Sequence, residues 1–184
     1  MTLGEHEQHD DETATPESAS TLESLIGRIA FTIRESISKG EIADLRRSKD
    51  DQMMPPVFWR LSVSLIEPAG WLRGSEGAVD EREHRWSAIL AVMAWLDGFH
   101  DSRRALGASL AESGYSEVRF SRLLRASDNS LRTLSRDCAR YLAAKGSHVD
   151  VTQIARLLLS DGRSNAESVR RHIARDYYRS LNTQ

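Results

Sequence analysis

Apolar residues recur along this chain at helical spacing, and no stretch alternates as a strand would. Leu22, Leu25, Ile26, Ile29, Ile33 and Ile37 follow Thr21, an N-cap residue type, and Gly40 is expected to stop that helix. Glu41–Arg47 predicts a short helix and Ser48–Met54 a loop. Pro55 and Pro56 suit the first turn of a helix running to about Glu67, ahead of Pro68. Trp71 and Leu72 pack back, Gly74–Ala78 is a loop, and Asp80–His100 predicts a long helix. Its inward residues are Trp86, Ile89, Leu90, Met93 and Leu96, with Trp95 a further candidate. Then come Arg104–Glu112, Ser116–Ala126, a helix capped at Asp128 or Ser130 that runs to about Lys145, and Asp150–Ser160. A capping box at Ser164-Asn-Ala-Glu167 opens a last helix to about Leu181. There is no internal repeat. The expected fold is all-α, with two small helical bundle domains, 21–102 and 103–184, joined by a short linker. Residues 1–20 are polar, acidic and aperiodic, and read as a disordered tail.

Charge sharpens that division. The net charge of −2 over 184 residues conceals a segregation. Residues 1–20 hold six acids and no Lys or Arg. Residues 21–102 hold 10 bases and 13 acids, and residues 103–184 hold 15 bases and 8 acids. Of the 25 bases, 22 are arginine. Guanidinium binds phosphate through two parallel hydrogen bonds and stacks on bases, so this choice suits a polyanionic partner. Codon usage in a GC-rich genome would raise arginine too, but would not decide where it sits.

Its placement is regular. Arg132, Arg136 and Arg140 are spaced by four, opposite an apolar face of Leu131, Leu134, Cys138, Tyr141 and Leu142. Arg171, Arg175 and Arg179 repeat the plan opposite Val169, Ile173 and Tyr177, and Arg119, Arg122 and Arg125 add a third ridge. Such ridges could carry phosphates, or could be an ordinary solvated face whose arginines pair with Asp137 and Asp176. Further upstream, Arg46, Arg47 and Arg60 flank the loop before the double proline.

Catalytic patterns are missing: no GxSxG, GxxxxGK[ST] or GxGxxG occurs, and no cofactor is implied. The single cysteine, Cys138, excludes an intramolecular disulfide and a thiolate zinc site within one chain, and reads as core. His6-Glu7-Gln8-His9-Asp10-Asp11 lacks the four-residue histidine spacing that puts two imidazoles on one helix face, so no metal site is expected. Trp59, Trp71, Trp86 and Trp95 fall at packing positions and read as core rather than as base-stacking platforms. No basic signal segment and no apolar run near 18 residues is present, which points to a cytoplasmic protein without a membrane partner.

Several segments resemble the CasB family, the small subunit of the type I-E CRISPR surveillance complex Cascade. They are Ile42-Ala-Asp-Leu-Arg-Arg47, Pro56-Val-Phe-Trp-Arg-Leu61, Leu106-Gly-Ala-Ser-Leu-Ala-Glu-Ser-Gly114, Val118-Arg-Phe-Ser-Arg-Leu-Leu-Arg-Ala126, Val149–Leu158 and Ala174-Arg-Asp-Tyr-Tyr178. The likeness covers roughly residues 21–182. It departs at His172-Ile173, where a tryptophan is expected, and the acidic tail has no counterpart. The resemblance implies an all-α, non-catalytic subunit. Its partners would be the backbone and large Cascade subunits, guide RNA, target DNA with its displaced non-target strand, and a second copy of itself head to tail. Carried onto this chain, a basic groove would use Arg47, Arg73, Arg119, Arg125 and Arg140, with Arg46, Arg122, Arg136 and Arg163 as neighbours. They would neutralise phosphates rather than read bases. Arg46 and Arg47 are expected to project from the end of their helix, and Arg60 either joins them or bridges the first helices. A helical transcription regulator, with Asp150–Arg175 forced into a helix-turn-helix, is the alternative.

Overall fold

Thr21 opens the first helix as its composition suggests: its hydroxyl accepts from the Ser24 amide at 3.3 Å, and α1 spans Leu22–Ser36. The computed structural model describes residues 21–49 and 52–183. The acidic tail and its His-Glu-Gln-His stretch therefore lie outside the described residues. The chain continues as α2 (Lys39–Arg47), α3 (Pro56–Leu61, running into a π-helical turn at Ser62–Ile66), α4 (Glu76–Trp95), α5 (Leu106–Glu112), α6 (Glu117–Arg125), α7 (Asp128–Ala144), α8 (Val151–Ser160) and α9 (Ala166–Leu181). Among the described residues the fold is all-α; its one extended feature is a bridge between His100 and Val149.

Several boundaries differ from expectation: α5 starts at Leu106 rather than Arg104, and α7 is preceded by Ser127 as N-cap rather than capped at Asp128 or Ser130. Three more stand out, beginning at α2. Gly40 does not stop α1; it lies in the first turn of α2. The break falls earlier because Ser38 and Glu41 form a reciprocal capping box. Glu41 also receives Arg60 at 2.7 Å. The bonds from the Ser38 backbone and hydroxyl, and then Arg60, pull its carboxyl down to about 2. Arg60 is thus the bridge between α2 and α3. Second, α4 begins at Glu76 rather than Asp80 and ends at Trp95. Third, the box expected at Ser164–Glu167 does not form: α9 starts at Ala166 behind Asn165, without a side-chain cap.

The buried apolar cluster is continuous from Leu22 to Tyr177, and crosses the expected boundary near Ser102 without a break. α4 joins the halves, packing on α2 on one side and on α7 and α8 on the other. Polar ties reinforce this crossing. Asp161, 5% exposed, follows the end of α8. Its carbonyl accepts from Arg85 Nη1 of α4 at 2.7 Å. Its carboxylate accepts from the Asp128 amide at 2.7 Å and from Arg170 Nη2 of α9 at 2.8 Å. The Asp128 bond holds a left-handed backbone (φ 50°), which aspartate tolerates better than most residues.

α9 closes the far side. Its Tyr177 stacks on Phe120, with centroids 3.8 Å apart, and donates to the Tyr115 carbonyl at 2.6 Å. α5 lies directly against it at Gly107. A Cβ there would collide with the Ile173 carbonyl oxygen and come within 2.6 Å of the Tyr177 amide nitrogen. Both obstacles are backbone and cannot swing aside. Gly107→Ala would gain helix propensity of about 1 kcal/mol, but would overpack a helix–helix contact at a cost of about 1–3 kcal/mol beyond that gain. A urea unfolding midpoint below that of the parent is expected, and an unchanged or raised midpoint would refute the close approach.

Candidate nucleic-acid interface

α7 builds the centre of the site, because its arginines do not share one environment. A residue four further along an α-helix has turned by about 40°, so Arg132 and Arg140 differ by about 80°. Arg132 is only 8% exposed and donates to Glu81 Oε1 of α4 at 2.9 Å; Arg85 holds the same oxygen at 2.9 Å. The exposed stripe read from the sequence therefore loses its first member to the interior. Arg136 is half-buried, and the Arg140 side chain is 63% exposed, paired at the surface with Asp137 at 3.1 Å.

Around Arg136 and Arg140 three grooves run into one another. The first, of about 680 Å³, lies between the end of α2, the end of α4 and α7; its walls include Arg46, Arg47, Lys49, Trp95, Arg136 and Arg140. The second, of about 530 Å³, lies between α6 and α7 and is walled by Arg119, Arg122, Asp137 and Arg140. The third, of about 630 Å³, takes in Arg122, Arg125 and Glu117. Asp137 and Arg140 belong to the first two, and Arg122 and Leu134 to the last two. The walls together carry eight cationic side chains and two carboxylates, Asp137 and Glu117. The excess gives the track a positive potential, and low-dielectric walls focus it.

Seven of the nine arginines expected at a site thus line this track: Arg46, Arg47, Arg119, Arg122, Arg125, Arg136 and Arg140. Arg73 and Arg163 lie elsewhere. Arg73 folds over Gly70 in the loop between α3 and α4. Arg163 sits in the turn after α8, its amide bonded to the Ser160 carbonyl at 2.9 Å. The first two arginines behave differently from each other. Arg47 projects, 74% exposed, and donates to Asp44 of its own helix at 2.8 Å. Arg46 packs instead: its Nε donates to the Ala94 carbonyl at 2.9 Å, and its guanidinium lies over the Trp95 ring, 5.2 Å from the centroid. Of the α9 ridge, Arg171 and Arg179 pair loosely with Glu167 and Asp176 at 3.6 and 3.7 Å, away from the three groove walls.

Sequence reasoning missed Lys49 and Trp95. Lys49 stands in the loop after the Arg-Arg pair, where periodicity says nothing. Trp95 falls by its spacing at a packing position, but the end of α4 leaves it half-buried in the groove wall. Trp59 also differs from expectation, at 42% exposed, while Trp86 is fully buried as expected.

No histidine or cysteine lines the three grooves. Burial pushes the Cys138 thiol up to about 12, with Asp137 adding to the shift, so it is an inert core thiol. Among the described residues no cluster of His, Cys, Asp or Glu could hold a metal ion, and no helix is long and apolar enough to cross a membrane. The Asp150–Arg175 segment is α8, buried at most positions, followed by a 16-residue helix locked against α5, not a short projecting reader.

Comparison with known proteins agrees with this all-α frame. The sequence profile of the family described as CRISPR-associated protein Cse2 matches residues 41–178, and the chain belongs to that family, also known as CasB. Among solved structures it is similar to a chain of E. coli Cascade, crystallised bound to a PAM-containing double-stranded DNA target. That likeness has a TM-score of 0.62 at 20% identity, and covers 87% of this chain and 95% of the other. No curated protein sequence matches.

The geometry separates arginines that hold the fold from those that face the groove. Asp161→Ala leaves the mostly buried Arg170 guanidinium and the Asp128 amide without their carboxylate, and is expected to destabilise by about 3 kcal/mol. Arg140→Ala, at an exposed position, should stay within about 0.5 kcal/mol. Urea denaturation of both variants checks this, and equal losses would contradict the division.

Proposed function

We propose that this chain is the non-catalytic small subunit of a type I-E CRISPR Cascade complex. It holds nucleic acid by its phosphates along the groove that runs from α2 over α7 to α6. The observation that carries the reading is the track itself: eight cations against two carboxylates, seven of the cations arginines expected from sequence, on three grooves that share walls. Membership of the Cse2 family supports the assembly, and the fold likeness to a chain of a DNA-bound Cascade supports the partner class.

In this role the protein needs no base readout. Pairing between guide and target supplies sequence specificity, so the displaced strand must be held whatever its sequence. Guanidiniums at the surface of a groove do this by releasing counterions and donating to phosphate oxygens. The chain would stabilise the R-loop, meaning the displaced non-target strand and the guide RNA–target duplex. It would sit against the backbone and large subunits, beside a second copy of itself arranged head to tail, in the cytoplasm.

Binding of the purified protein to random-sequence single-stranded DNA across a salt series tests the reading. A negative slope of log K against log salt is expected, with no preference among sequences. Each lost phosphate contact removes about 0.7 from the slope for a single strand, so Arg125→Glu with Arg140→Glu should flatten it by about 1.4. Arg171→Glu with Arg175→Glu, on α9, should leave it unchanged. Protection of a single DNA sequence, or equal effects from the two pairs, would overturn the proposal.

A further inference from the structure

Trp95 and Arg46 have a geometry that phosphate binding does not require. A guanidinium that only neutralises phosphate gains nothing from being pinned, and Arg47, next in sequence, projects into solvent. Arg46 is pinned twice, by the Ala94 carbonyl at 2.9 Å through Nε and by the Trp95 ring beneath it. The carbonyl fixes the direction of the guanidinium plane and the ring supports it. Both residues stay half-buried and both line the first groove, so a guanidinium backed by an indole stands in the wall of the cationic track. The groove, of about 680 Å³, is open along one side to solvent.

We propose that Arg46, backed by Trp95, is a stacking platform for an unpaired base of a strand whose phosphates run along Arg47, Lys49 and Arg140: the guanidinium covers one ring face and offers its own outer face to the base. The proposal rests on the phosphate-track reading and adds a selectivity to it: single strands over duplex. In a duplex every base face is already covered by its neighbours, whereas an unpaired base can turn in. The platform does not choose among bases, because each has a π-face. It thus combines a strand preference with indifference to sequence.

The test compares two probes of equal length and charge, a thymidine homopolymer and an abasic deoxyribose-phosphate strand, against the full chain and its W95L and W95F variants. Stacking one base on an aromatic is worth about 5- to 150-fold in affinity. The parent should bind the thymidine strand tighter than the abasic strand by a factor in that range. W95L should bind both as the parent binds the abasic strand, and W95F, which keeps a ring, should retain most of the preference. All three should show the same salt slope on the abasic strand, a sign that fold and track are intact. Equal affinity of the parent for both strands, or a preference that survives W95L, overturns the platform. Salt-independent or absent binding of the abasic strand, with the thymidine strand still bound through Arg46 and Trp95, overturns the phosphate track and leaves the platform standing. Loss of both strands overturns both.

Discussion

Asp161 carries the arrangement on which the rest of the structure depends. One residue at the end of α8 accepts from α4 through its carbonyl, and from the start of α7 and from α9 through its two carboxylate oxygens. Burying a carboxylate is expensive unless its oxygens are satisfied. Here each oxygen has a donor within 2.8 Å, one of them a guanidinium. The tie sets where α7 begins. The second link, from Arg132 to Glu81, sets how α7 is rotated against α4. With start and rotation fixed, the helical twist carries the next arginines outward, so that Arg140 emerges between α2 and α6.

Arginine therefore does three jobs here, and burial divides them. Arg85, Arg132 and Arg170 are enclosed, and donate to carboxylates and, in Arg85 and Arg170, to carbonyls that would otherwise be stranded. Arg47, Arg119, Arg122, Arg125 and Arg140 remain exposed on the track. Arg46 belongs to neither set, since it is held by the fold yet faces the groove. Guanidinium suits all three because it stays charged, donates in several directions and packs over an aromatic ring. A lysine-rich chain of the same net charge could fill the second job but not the other two.

Helices were readable in the sequence wherever a cap or a long apolar stripe marked them. Thr21, the double proline and Asp150 all start helices close to where they were expected. Gly40 suggests a break that does not occur there, because the deciding bonds join Ser38 and Glu41. Most of the candidate site was also legible: the α6 ridge and the Arg46-Arg47 pair reach the track as expected. What could not be read is tertiary. Spacing by four looks like one stripe, yet a drift of about 40° per step divides Arg132 from Arg140. Nothing local distinguishes Trp86, which is enclosed, from Trp95, which meets a groove supplied by α2 and α7. The α9 ridge is as regular as the others, but α9 turns its buried side to α5 and α6, so its arginines face away from the groove walls.

A track of this kind fits a strand that must be held along its length and never read. Its cations are spread over α2 and the loop after it, α6 and α7; Asp161 fixes the start of α7, and the shared core holds α2 and α6 with it, so the positive surface is preformed. The most direct measurement is arginine-selective dicarbonyl modification, read by mass spectrometry, with and without saturating single-stranded homopolymer DNA. The account predicts protection of Arg47, Arg119, Arg122, Arg125 and Arg140, with Arg171, Arg175 and Arg179 as reactive as before. Protection of the α9 arginines, with the α6 and α7 arginines still reactive, would contradict it.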